Sequence, residues 1–122
     1  MALLTKRDKG NHYESVAKHF LLRHNLTFIA HNFICKMGEL DLIMKDSDTI
    51  VFIEVKYRDN RRYGSAEEMV HWKKQQRVKK AAFYWLKQNR ISIEHASFRF
   101  DVIAIHDQGN DINWIKNAIV EG

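Results

Sequence analysis

The chain predicts a single domain that combines helices with a β-sheet, of the α/β or α+β class, in the order α-β-β-β-α-β-β. Three observations carry this expectation. Residues 12 to 24 and 68 to 89 place apolar side chains at helical spacing, while strand-like runs lie between and after them. The runs 38–44 and 50–56 flank a polar turn, which is the pattern of an antiparallel hairpin. At 122 residues, with no proline and no internal repeat or linker, the chain has the size of one domain that buries a core without staples.

In the first helix Tyr13, Val16, Ala17, Phe20 and Leu21 form the apolar stripe, and Asn11 stands where an N-cap would. Glu14 is then the third helical residue. That position suits a capping contact back to Asn11, and it also lies at the edge of the buried stripe, turned to the sheet. Asn25, in His24-Asn25-Leu26, suits the left-handed position that ends a helix. Thr27 to Ile34 is rich in β-formers and reads as the first strand, and residues 1 to 8 read as flexible.

The hairpin that follows is the centre of the chain. Gly38 to Met44 and Ile50 to Lys56 are joined by Lys45-Asp46-Ser47-Asp48-Thr49, whose Asp and Ser side chains can bond their own backbone. Alternation puts Glu39, Asp41 and Ile43 on one face of the first strand and Leu40, Leu42 and Met44 on the other. On the second strand Ile50, Phe52, Glu54 and Lys56 oppose Val51, Ile53 and Val55. Both faces are apolar enough to be buried, so three carboxylates and a lysine there require partners. A bound cation is one solution, and an Asp41–Lys56 ion pair is the other.

Arg58 to Ser65 reads as a polar loop. In the second helix Val78, Ala81, Ala82, Trp85 and Leu86 form the stripe that packs on the sheet, with Gln75 flanking it near the site and Lys73, Lys79, Lys80 and Lys87 away from its centre. Ser97 to Ile105 alternates as the fourth strand, Asp107 to Asp111 is a turn, and Ile112 to Lys116 is a short edge strand. Asp101 is expected to bond Arg99 or a loop backbone.

The formal charge of +5 is unevenly distributed. Residues 56 to 90 hold 11 of the 20 Lys and Arg against three acids, a local balance of +8. Arg58, Arg61, Arg62, Lys73, Lys74, Arg77, Lys79 and Lys80 are interleaved there with Tyr57, Tyr63, Trp72, Tyr84 and Trp85. Such a segment beside clustered carboxylates suits a passing polyanion, and it equally suits a solvated helix face. The single Cys35 excludes an internal disulfide, and neither it nor His31 has a partner at zinc-like spacing. No H-E-x-x-H pattern and no Gly-rich phosphate loop is present, so zinc and nucleotide chemistry fall away. No run approaches the roughly 20 apolar residues of a membrane span, and the first residues lack the apolar stretch of a signal peptide, so the expectation is a cytoplasmic protein without membrane partners.

Five segments, in order, carry a resemblance. They are Gly10 with Glu14; Gly38-Glu39-Leu40-Asp41-Leu42-Ile43; Val51-Phe52-Ile53-Glu54-Val55-Lys56 followed by Arg58; Lys74-Gln75 leading to Ala81-Ala82; and Arg99-Phe100-Asp101-Val102. Over residues 9 to 119 the chain resembles the small bacterial YraN-like family, whose members resemble archaeal Holliday-junction resolvases. Asp41 with Glu54-Val55-Lys56 looks like the PD-(D/E)xK nuclease signature. The resemblance implies an α/β, restriction-endonuclease-like core and a divalent-metal-dependent endonuclease. Asp41, Glu54 and the Val55 carbonyl would hold Mg²⁺ or Mn²⁺, Lys56 would be the catalytic lysine, and Glu14 the carboxylate added from the helix. Glu39 and Gln75 are auxiliary candidates. It also implies a nucleic-acid partner, DNA ahead of RNA, and raises the homodimer that resolvases form. The alternative is a nucleic-acid-binding module that keeps the fold without cleaving.

Overall fold

The computed structural model describes residues 5–58 and 72–118. Its elements are α1 (Lys6–Arg23), β1 (Thr27–Cys35), β2 (Gly38–Asp46), β3 (Thr49–Arg58), α2 (Trp72–Gln88), β4 (Phe98–His106), a 3₁₀ turn (Asp107–Gly109) and β5 (Asp111–Ile115). The strands form one sheet in the order β1-β2-β3-β4-β5. Only β3 and β4 are parallel, as the intervening helical crossover requires, and the other neighbours are antiparallel. This is the mixed α/β sheet with two helices that the resemblance implied, with β3 at its centre.

β3 is buried from Ile50 to Lys56 because both its faces are covered. Val51, Ile53 and Val55 join Tyr13, Ala17 and Leu21 of α1 in one core cluster, while Ile50 and Phe52 join Val78, Ala81, Ala82, Trp85 and Leu86 of α2 in the other. The alternation expected for this strand and the stripe expected for the second helix are both present. The hairpin turn is tighter than expected, with Asp46 paired to Thr49 and Ser47 in the left-handed region at φ 56°. Asn25 takes the left-handed position after α1, at φ 70°.

β2 departs from simple alternation. Leu42 and Met44 pack on the α1 side, but Leu40 packs on the α2 side with Ile43. Both β1 and β2 turn over at one level: Phe33 pairs with Leu40 and His31 with Leu42 in unbroken register, and Asn32 between them is left-handed at φ 51°. Glu39, Asp41 and Ile43 therefore do not share one face. Pairing of β2 with β3 stops at Leu42 and Ile53, so the strands part at Asp41 and Glu54.

The start of α1 is also earlier than the apolar stripe suggested. Thr5 is the N-cap, with a reciprocal capping box to Asp8: Asp8 N–H donates to Thr5 Oγ1 at 3.1 Å and Thr5 N–H to Asp8 Oδ2 at 3.3 Å. Residues 6 to 8, expected to be flexible, are its first turn. Asn11 is thus inside the helix, and Glu14 has no capping task. Asp101 is fully buried and accepts from Arg99 Nε (3.1 Å), Trp114 Nε1 (2.9 Å) and the Asn117 N–H (3.0 Å). It ties β4 to β5 and the segment beyond.

Candidate active site at the seam of β2 and β3

Where β2 leaves β3, the Val55 N–H no longer faces a neighbouring strand and donates instead to Asp41 Oδ2 at 2.8 Å. On the α2 side, the alternation that buries Ile50 and Phe52 continues to Glu54 and Lys56, which are 4% and 6% exposed. Lys56 Nζ lies 3.0 Å from Glu54 Oε1. The same oxygen is contacted by Lys74 Nζ from the first turns of α2. From the α1 side, Glu14 reaches the same seam, where the Asn32 and Asp41 side chains both favour its ionised form. Glu14, Asp41, Glu54 and Lys56, spread over 43 residues of sequence, thus converge at one seam.

The electrostatics follow from this crowding. Burial, and then repulsion from Glu54, pushes the Asp41 carboxyl up to about 7, although the Val55 N–H favours its ionised form. Burial also raises Glu14. Asn32 and His31 oppose that rise, whereas the charge of Glu39 adds to it. Lys56 is lowered by burial and by the neighbouring Lys74, against the attraction of Glu54. For Lys74 burial acts downwards but the Glu54 carboxylate outweighs it, so its ammonium is held. Two lysines share one carboxylate oxygen, and the more buried one yields its proton first.

The donor set suits a small hard cation. Among the described residues no three His, Cys, Asp or Glu side chains form a ready ligand group. Asp41 and Glu54 bring two carboxylates to the seam, a number through which Mg²⁺ commonly binds while keeping several waters, and a cation there would relieve the repulsion that helps raise Asp41.

Two surfaces lead to the seam. On the α1 side a groove of about 820 Å³ is lined by Arg7, Lys18, Glu14, Glu39, His19 and His31 among others, so its fixed charges balance. Along α2, a hollow of about 460 Å³ containing Lys74, Arg77 and Glu39 adjoins one of about 430 Å³ containing Lys73, Arg77 and Lys80 with no acid. Gly38 lets the β1–β2 turn approach this helix, because a Cβ there would lie 2.9 Å from the Arg77 carbonyl oxygen.

The other expected residues are distributed as follows. Lys79, expected among the nucleic-acid-binding residues, is buried at 9% exposure, whereas Lys73, Arg77 and Lys80 of the same set line the basic hollow. Gln75 is half-buried next to Lys74. Glu39 is exposed between the two surfaces. Arg58 ends β3 half-buried, with its Nε lacking a partner among the described residues. Arg61 and Arg62, most of the expected polar loop and the expected helix residues 68 to 71 lie outside the described residues. Sequence reasoning missed the placement of Lys74 on Glu54 and the role of Asn32. The signal for Lys74 was its spacing: it stands four residues before Val78, in line with the buried stripe.

A central β3, two covering helices and a seam where buried Glu54 and Lys56 meet half-buried Asp41, Glu14 and Lys74 define a small mixed-sheet α/β protein with a polar site between parting strands. The chain belongs to the family described as "Uncharacterised protein family UPF0102", whose profile matches residues 13–105. A UPF0102 protein of Aliivibrio salmonicida is 62% identical over 117 residues, covering 96% of this chain and 95% of that one. One of Vibrio campbellii is 52% identical over 122 residues and the full length of both, and one of Photobacterium profundum is 50% identical over 119 residues, covering 98% and 95%.

Proposed function

We propose that the protein is a divalent-metal-dependent endonuclease that hydrolyses phosphodiester bonds in nucleic acid, DNA ahead of RNA. The observation that carries this is the seam itself, where Asp41 with a raised pKa, Glu54 and a lysine with a lowered pKa meet beside a basic furrow. An acid pushed to about 7 by burial and a neighbouring carboxylate, set beside a lysine and a basic surface, is a pattern that functional sites favour.

Asp41, Glu54 and the Val55 carbonyl are the groups that would hold Mg²⁺ or Mn²⁺, which when bound neutralises charge on the phosphoryl oxygens and activates a water. The chain's own residues supply the remainder. The Val55 N–H fixes the Asp41 carboxylate. Glu54 orients Lys56, whose pKa burial lowers from the ordinary lysine value, so that its neutral form can accept a proton from the attacking water. Glu14, held by Asn32, orders water from the helix side. Lys73, Arg77 and Lys80 hold the phosphate backbone along α2.

A non-catalytic binding module is favoured by one observation, that the basic furrow needs none of the acids. Junction, flap, single-stranded and duplex substrates incubated with Mg²⁺ or Mn²⁺ separate the two. Cleavage that disappears in Asp41→Asn while binding persists establishes the nuclease; binding alone in the wild type establishes the module.

A further inference from the structure

We propose that Lys74 is an exchangeable counter-ion: it holds the Glu54 carboxylate until a divalent cation takes that place, and then carries its charge to the phosphates in the α2 furrow. The inference rests on the metal-dependent function proposed above.

Both ammonium groups on Glu54 Oε1 differ in their freedom. Lys56 is anchored two residues away on the same strand and its side chain is 7% exposed. Lys74 comes from a separate element and its side chain is 44% exposed, although its partner is 4% exposed. Because its head remains in contact with solvent, Lys74 can leave the carboxylate without carrying a desolvated charge through the protein. The lysine stem is a flexible four-carbon chain carrying a point charge, able to reposition without moving the helix.

There is a place for it to go. Lys74 lines the hollow it shares with Arg77, and that hollow adjoins the one lined by Lys73, Arg77 and Lys80. Swinging away from Glu54 therefore adds a further cation to a row that already has three. An ammonium and a divalent cation on one carboxylate repel each other, and of the two lysines on Glu54 the half-exposed Lys74 is the one placed to move away, Lys56 being enclosed. Lys74 accordingly weakens cation binding. By linkage, a cation that displaces Lys74 strengthens phosphate binding by the same factor as bound phosphate strengthens cation binding.

The experiment uses full-length wild type, Lys74→Gln, Lys74→Arg and Lys80→Gln. Mn²⁺ is titrated calorimetrically without nucleic acid, and affinity for a phosphorothioate duplex is measured in EDTA and in Mn²⁺. Lys74→Gln is expected to bind Mn²⁺ about tenfold more tightly and to lose the gain in duplex affinity that Mn²⁺ gives the wild type. Lys74→Arg should retain the weaker Mn²⁺ affinity, and Lys80→Gln should weaken duplex binding without changing the Mn²⁺ titration. Equal or weaker Mn²⁺ binding by Lys74→Gln, with normal binding by the wild type, overturns the exchange and leaves the nuclease intact. No Mn²⁺ binding by either protein overturns both. Should Lys74→Gln fail to fold, the wild type still decides: its Lys74 ε-methylene NMR signal should move to the position of a solvated lysine on Mg²⁺ addition, and a fixed signal refutes the exchange.

Discussion

The Val55 N–H donates to the Asp41 carboxylate at 2.8 Å, just beyond Leu42 and Ile53, the last ladder pair of β2 and β3. An acid thus stands in for a strand. This hydrogen bond holds Asp41 beside Glu54, and the resulting burial and repulsion raise its pKa to about 7.

Asp41→Asn should stabilise the metal-free protein at pH 8. The folded acid titrates near 7 and the unfolded one near its ordinary 3.8, so between these values the folded state keeps a proton that the unfolded state releases. Stability contributed at this site therefore falls as pH rises from about 4 to about 7 and is level above that. Asparagine retains an acceptor for Val55 and removes the charge. Thermal melts in EDTA should show a gain on the order of 1 kcal/mol at pH 8 and nearly none at pH 4. Loss of stability at pH 8 would show that Asp41 mainly serves as a partner to a buried cation.

Lys56→Ala and Glu54→Gln should each lower the cleavage rate by about 10²- to 10⁴-fold with nucleic-acid binding retained. In the wild type the rate should rise with pH and level off below the usual lysine range, since burial lowers Lys56 and the deprotonated form is the base. Single-turnover rates from pH 6 to 10 test this, and a wild-type rate in Lys56→Ala excludes the base assignment.

Replacing Lys73, Arg77 and Lys80 together by Gln should flatten the salt dependence of duplex binding, by about 0.9 in log–log slope for each phosphate that is no longer neutralised. Lys79→Gln should leave that slope alone, because Lys79 is buried. Anisotropy titrations from 50 to 300 mM salt read both. An unchanged slope in the triple variant moves the surface to Arg58, Arg61 and Arg62.

Asn32→Ala should cost about 1 kcal/mol, the penalty of a left-handed backbone for a residue with a Cβ and no local polar compensation. Asn32→Gly should recover the backbone but not the side-chain amide that favours ionised Glu14. Carboxyl NMR titration of the Gly variant should therefore place Glu14 higher than in the wild type. A Glu14 titration identical in both proteins would remove Asn32 from the site.

Local periodicity settled much of this molecule from the sequence alone. Regular alternation from Ile50 to Lys56 fixed which face Glu54 and Lys56 share, and the stripe from Val78 to Leu86 fixed how α2 meets the sheet. Asn25 and Ser47 were legible because turn residues carry their own conformational preference. The capping box of Thr5 and Asp8 was also written in the chain, but residues 6 to 11 lack the apolar period that signals a helix, since that turn does not bury a face. Tertiary structure decided the rest. The turnover of β1 and β2 at Asn32 and Asp41 exists only because two strands shift together, which no single strand's pattern encodes. The meeting of Lys74 with Glu54, 20 residues apart and on different layers, depends on where the β3–α2–β4 crossover sets the helix down and on the reach of a flexible side chain.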